Sequence, residues 1–261
     1  MSVPPQIPRT LPTGSEANIS GLLASRRSEL LAALAPIGPL RADRVDLPGT
    51  TQSLTISRPV DYDRLIDDAA ADPEQNLPYW AELWPSGVAL AAKIVRDPAI
   101  VQGRRVLELG CGLGVTAVAA LIAGADLLVT DYSLEALALC SLNTLDLVEI
   151  QPQTLRVNWR DTVTTMRGTV EGTFPVVLAA DVLYETRDVE PLLSLVERAV
   201  APCGELWLAE PGRPPAARFL QLIGARGWTD ESEECSGPWP DPDDNRKGVV
   251  VAIHRLRRDR D

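Results

Sequence analysis

The residues best placed to do chemistry begin at Arg105-Val106-Leu107-Glu108-Leu109-Gly110-Cys111-Gly112-Leu113-Gly114, and Asp131 follows seventeen residues after the last glycine. An apolar run leads into a glycine-spaced turn. A helix-forming segment comes next, and a second apolar run, 125–130, ends on the carboxylate. Glycine lets a backbone pass close to a ligand because it has no Cβ to block the approach. A carboxylate closing the second strand is placed to bind the two hydroxyls of a ribose. Together these residues predict a pocket for an adenosine-containing cofactor.

Spacing and charge separate two such cofactors. The pattern is G-x-G-x-G, whereas a dinucleotide fingerprint would put its third glycine at position 115, which is Val115. Glu108 stands two residues before the first glycine, inside an otherwise apolar strand. An anion gains nothing beside a pyrophosphate. It can hold the ammonium and sulfonium end of S-adenosylmethionine, directly or through water. The residues therefore favour S-adenosylmethionine over NAD.

Positioning these groups requires alternating strands and helices. Strands are expected near 105–109, 126–130, 154–158, 175–180, 204–209, 227–234 and 248–255, with helices near 86–96, 113–123, 134–143, 187–201 and 214–226. That alternation predicts an α/β fold, a Rossmann-like doubly wound sheet of seven strands, mostly parallel and covered on both faces. The last two strands are joined by a turn-rich segment, 236–244, and should form an antiparallel hairpin at the sheet edge. Ligands in such sheets sit at the carboxyl ends of the strands, where Gly110, Asp131 and Asp181 fall. Ahead of this domain (78–261), residues 1–15 carry four prolines and read as a disordered arm. Residues 16–77 read as an extension: a helix over 19–34, a short hairpin around Pro48-Gly49, and a polar helix over 61–70.

Composition narrows the partners. The net charge is −11 and 45% of residues are apolar, as in an ordinary globular core. This balance speaks against DNA or RNA, whose phosphates need a positive field. It suits a basic peptide or a small cationic amine. No run is long enough to span a membrane, and no signal-peptide pattern opens the chain. Cys111, Cys140, Cys203 and Cys235 are scattered, and His254 is the one imidazole. A metal site and a disulfide framework are therefore not expected, which fits a reducing, cytoplasmic setting.

With these residues in view, the chain resembles the class I, seven-strand S-adenosylmethionine-dependent methyltransferases. Glu108 to Gly114 and Asp131 carry that likeness. Within them it resembles a protein-lysine methyltransferase branch, the one that includes the electron-transfer flavoprotein β-subunit enzyme. Three stretches carry this closer likeness: Pro78-Tyr79-Trp80-Ala81-Glu82-Leu83-Trp84-Pro85-Ser86-Gly87, Ala180-Asp181-Val182-Leu183-Tyr184, and Trp159 after Val157-Asn158. The segment Glu210-Pro211-Gly212-Arg213-Pro214 adds to it, with Glu210 where an Asp is usual. The resemblance covers about residues 78–215. It implies that Trp84, Gly110, Cys111, Gly112, Asp131, Trp159 and Ala180 line the donor site; Gly114 and Glu108 complete the motif.

Methyl transfer from a sulfonium is an in-line displacement, so the enzyme must align donor and acceptor and exclude water. A lysine amine, with an ordinary pKa near 10.4, is mostly protonated at neutral pH. Asp181 could accept a hydrogen bond from that nitrogen, although its charge alone would raise the amine pKa. Tyr184 offers a ring face for the cation. The competing structural reading has Asp181 capping the next segment and Tyr184 packing at the sheet edge. Cys111 is expected as a small residue rather than a nucleophile, and Trp80 divides between core packing and ligand contact. Asn143 reads as a helix cap and the terminal Arg255, Arg257, Arg258 and Arg260 as a solvated tail. The loop 236–244, with Trp239, Asp241, Asp243 and Asp244, reads as a solvated turn or a clasp for a basic substrate. The leading functional expectation is N-methylation of a protein lysine. Small-molecule N-methylation and a non-catalytic donor-binding module stand as alternatives.

Overall fold

The structure, a computed structural model, describes residues 16–69, 77–161, 173–240 and 246–258. The chain opens with α1 (Glu16–Leu34), the strands β1 (Leu40–Asp46) and β2 (Ser53–Pro59), and α2 (Tyr62–Ala69). The strands β1 and β2 pair antiparallel around the Pro48-Gly49 turn. Then come α3 (Pro85–Arg96), β3 (Arg105–Leu109), α4 (Val115–Ile122), β4 (Asp126–Asp131), α5 (Leu134–Val148) and β5 (Gln153–Arg156). The remainder supplies β6 (Phe174–Ala180), α6 (Val189–Ala199), β7 (Val200–Glu210), α7 (Pro214–Gly224), β8 (Trp228–Cys235) and β9 (Val251–Arg258).

The main sheet has seven strands in the order β5-β4-β3-β6-β7-β9-β8. Strands β3 to β7 are parallel to one another, and β9 runs antiparallel between β7 and β8. Strand alternation sorts its side chains to two cores. Val106, Val176 and Leu178 join the core under α3, α4 and α5. Leu107, Leu109, Val177 and Ala179 join the core under α6 and α7. The expected doubly wound sheet with its closing antiparallel hairpin is what forms.

Three expectations give way. Helix α5 runs on to Val148, so Asn143 lies inside it rather than at its end. Its buried amide donates to Ser57 O at 3.0 Å and Leu113 O at 2.9 Å and accepts from Ser57 N at 2.7 Å. It clamps the N-terminal hairpin to the glycine turn. The terminal arginines are no tail, because the last strand reaches Arg258: Arg255 pairs with Glu205 at 2.7 Å, Arg257 with Glu231 at 2.6 Å and Arg258 with Glu197 at 3.3 Å. Arg260 lies outside the described residues. In the 236–244 segment, Trp239 packs against the core and its indole N–H donates to Val249 O at 2.8 Å, which removes it from any clasp. Asp241, Asp243 and Asp244 lie outside the described residues.

Candidate active site

Strand β3 ends at Leu109, and the chain must turn at once to enter α4. Gly110, Gly112 and Gly114 all adopt positive φ, at 69°, 48° and 81°. An L side chain is strained there, and a Cβ on Gly110 would lie 2.9 Å from Val182 Cγ1. On Gly114 it would meet Cys140 Sγ at 2.8 Å. The turn is fastened to the next strand: Gly110 N and Cys111 N both donate to Thr130 O, at 2.9 and 3.0 Å.

Asp131 closes that strand. Its carboxylate accepts from Gly112 N and Ser133 N, both at 3.0 Å. Ser133 caps α5 by accepting from Ala136 N at 3.1 Å, so the sequence Asp-Tyr-Ser both ends a strand and starts a helix. Glu108 is buried in the strand beside it. Among the described residues, its Oε2 has no hydrogen-bond donor. Burial, then the charge of Asp131, pushes Glu108 up to about 8, and burial pushes Asp131 up to about 6 against its backbone hydrogen bonds. Two buried acids held this far up mark a place that favours a cation.

On the other side, β6 ends at Ala180 and Asp181 takes a left-handed φ of 55°. Its N–H donates to Ala209 O at 3.0 Å, which fixes the backbone against β7. The carboxylate accepts from Arg213 Nε at 2.9 Å and from Ser86 Oγ at 3.3 Å. Asp181 caps no helix; the short turn that follows begins after Glu185. Tyr184 packs edge-to-face on Tyr79, with ring centroids 5.1 Å apart, and burial raises its hydroxyl above the ordinary phenol value. Trp84 donates its indole N–H to Tyr79 O at 2.7 Å and lies under the guanidinium of Arg213 at 5.7 Å.

One cavity of about 650 Å³ brings together all eleven residues singled out in the sequence: Trp84, Glu108, Gly110, Cys111, Gly112, Gly114, Asp131, Trp159, Ala180, Asp181 and Tyr184. Trp80 lines it as well, and its carbonyl lies against Gly112, so it serves both the core and the cavity. The Cys111 thiol is raised well above its ordinary value, first by burial and then by Cys140, so it is no thiolate. Reasoning from sequence missed Tyr132 and Arg213 as wall residues. Tyr132 follows Asp131 directly, a signal that was there to read. Arg213 is 32 residues from Asp181 and showed only in the Glu210–Pro214 segment. Among the described residues, no group of three His, Cys, Asp or Glu could hold a metal ion.

The cavity fits S-adenosylmethionine on its own chemistry. The unpartnered Glu108 oxygen and raised acids answer a cation, the glycine turn leaves room for backbone approach, and Asp131 stands at the strand end. A family model described as lysine methyltransferase matches residues 74–223, more than half of the chain. The electron transfer flavoprotein beta subunit lysine methyltransferase of Xenopus laevis is 30% identical over 168 residues, 60% of this chain and 64% of that protein. The Danio rerio enzyme of the same name is 28% identical over 137 residues, 52% of this chain and 51% of that protein. The chain thus spans between about half and just under two thirds of these relatives' length. The magnesium protoporphyrin IX methyltransferase of Synechocystis, solved with bound S-adenosylmethionine, shares the fold. It superposes with a TM-score of 0.51 at 15% identity, covering 76% of this chain and 97% of that one. This chain belongs to the lysine methyltransferase family and has the fold of a protein solved with bound S-adenosylmethionine.

Proposed function

We propose that the chain methylates the side-chain nitrogen of a lysine in a protein substrate. The observation that carries this reading is one cavity with two differently built ends. The glycine turn, Glu108 and Asp131 form one end; the buried Asp181 carboxylate and the Tyr79–Tyr184 ring pair form the other. The relatives named for a lysine substrate support it, as does a net charge of −11, which suits a basic segment of a partner. Among the described residues no helix is long and apolar enough to cross a membrane.

When bound, S-adenosylmethionine supplies a methyl group on a sulfonium, and that methyl is electrophilic because the sulfur would keep the electrons of the S–C bond. Glu108 would hold its cationic end, the turn of Gly110, Cys111, Gly112 and Gly114 would allow close backbone approach, and Asp131 would take the ribose. Trp84, Trp159 and Ala180 complete the wall. Asp181 accepts a hydrogen bond from the acceptor amine and aims its lone pair along the line of attack. Tyr184 and Tyr79 present ring faces to the charge that forms on nitrogen. The amine proton leaves to solvent.

The test is transfer of radiolabelled methyl into a lysate of the source organism. Label in acid-precipitable protein, recovered as methyl-lysine after hydrolysis, is the expected result. Label confined to the small-molecule fraction would replace the protein substrate with a free amine. No label would leave a donor-binding module.

A further inference from the structure

A carboxylate alone would hold the acceptor amine in its protonated, unreactive form. The structure does not leave Asp181 alone. Arg213 Nε meets Asp181 Oδ1 at 2.9 Å, and this guanidinium is built into place from behind. Glu210, at the end of β7, accepts from Gly212 N at 2.6 Å and Arg213 N at 3.1 Å, which fixes the turn into α7. Glu210 in turn faces His254 at 3.5 Å, and His254 meets Asp230 at 2.8 Å. The Arg213 guanidinium also lies over the Trp84 ring.

We propose that Arg213 is a positioning residue that neutralises Asp181, so that the cavity selects the acceptor amine as its free base. Arg213 occupies Oδ1 and leaves Oδ2, with its long contact to Ser86, to accept from the incoming N–H. The amine then meets a neutral ion pair with a fixed cation at its far side. The guanidinium offsets the attraction that a lone carboxylate would exert on the ammonium and so lessens the preference for the protonated amine. This deepens the amine-acceptor reading above and rests on it.

The other charges around the cavity do not take over this role. Glu82 is held by Arg58, and Arg187 is paired with Glu185. Glu108 and Asp131 sit at the donor end, and Arg246 lies over Trp84 at 5.1 Å. The tyrosines of the cavity include Tyr184, whose hydroxyl is raised and stays neutral below pH 10.

The test is binding of n-butylamine, a lysine side chain without its backbone, to the full chain with S-adenosylhomocysteine. Ligand-observed NMR from pH 7 to 10 reads the affinity. For the unsubstituted protein the affinity should rise with pH, by up to tenfold per unit while the amine is mostly protonated. Arg213→Gln should invert this: the ammonium is now held by an unpaired Asp181, so affinity at pH 7 rises at least tenfold and no longer climbs. Arg213→Lys, which keeps the charge, should follow the unsubstituted curve. Matching S-adenosylhomocysteine affinities would verify that each variant is folded. Identical pH dependence with and without Arg213 would overturn the proposal. So would preference of the unsubstituted protein for the ammonium, or no amine binding at all. Failure of the protein-lysine reading shows separately, as label in small molecules, and leaves this binding result standing.

Discussion

At the scale of single residues, the account turns on groups kept in states that water would not allow. Glu108 must lose its proton before it can hold a cation. Donor affinity should therefore tighten as pH rises from about 6 toward 8, by at most about tenfold per unit for one proton. Calorimetric titration checks this, and Glu108→Gln should bind more weakly and lose most of the slope; an unchanged slope would remove Glu108 from the donor site. Gly110 offers a second test. Alanine there adds about 1–2 kcal/mol of left-handed strain together with the 2.9 Å approach to Val182 Cγ1. Gly124 has a similar φ of 85° and only a distant neighbour, Gln102 Cγ at 3.8 Å. Gly110→Ala should lower the urea midpoint more than Gly124→Ala and weaken donor binding, which Gly124→Ala should leave alone.

At the scale of elements, what could be read from sequence was local. The strands and helices followed from apolar period and turn residues, and the glycine turn with its acid strand end showed in one window of the chain. Contacts between distant elements did not. Asn143 and Ser57 are 86 residues apart, so the clamp that joins β2, α5 and the glycine turn has no sequence signature. The Arg257 and Arg258 pairs hid for another reason: a last strand expected at 248–255 forms three residues later, at Val251–Arg258, and takes in arginines that the shorter reading left beyond its end. The clamp makes its own prediction. Asn143→Ala takes the partner from three backbone groups, two at half-buried Ser57 and one at buried Leu113, and should cost about 2 kcal/mol. A lower urea midpoint with an unchanged slope would show it. A loss under about 0.5 kcal/mol would mean that the hairpin is not held this way.

For the whole molecule, stability should depend on pH from both sides and on the donor. Glu205 and Glu210 are lowered from an ordinary 4.5, in spite of burial, by their partners Trp207, Arg255 and His254. Their contribution is present above 4.5 and lost as pH falls through the lowered values. His254, raised by Glu210 and Asp230 against its burial, contributes fully below its ordinary 6.5 and loses this as pH rises through its raised value. Glu108, at about 8 when folded, adds a further loss as pH climbs from 4.5 to 8. Asp131, at about 6 when folded, adds its own loss from 3.8 upward, so the donor-free protein should be most stable near about pH 4–5, and saturating donor should move that optimum upward. Urea midpoints across pH check it, and an optimum indifferent to donor would contradict the link between Glu108 and the cation.

The most direct measurement follows labelled methyl into protein with the unsubstituted chain and Asp181→Asn side by side, with donor affinity measured on both. Asparagine tolerates the left-handed backbone at this position, so the substitution removes charge without forcing the turn. The account predicts methyl-lysine in the hydrolysate of the unsubstituted reaction, and equal donor binding but little or no transfer with Asp181→Asn. Full transfer by Asp181→Asn, or label on an atom other than a lysine nitrogen, would contradict it.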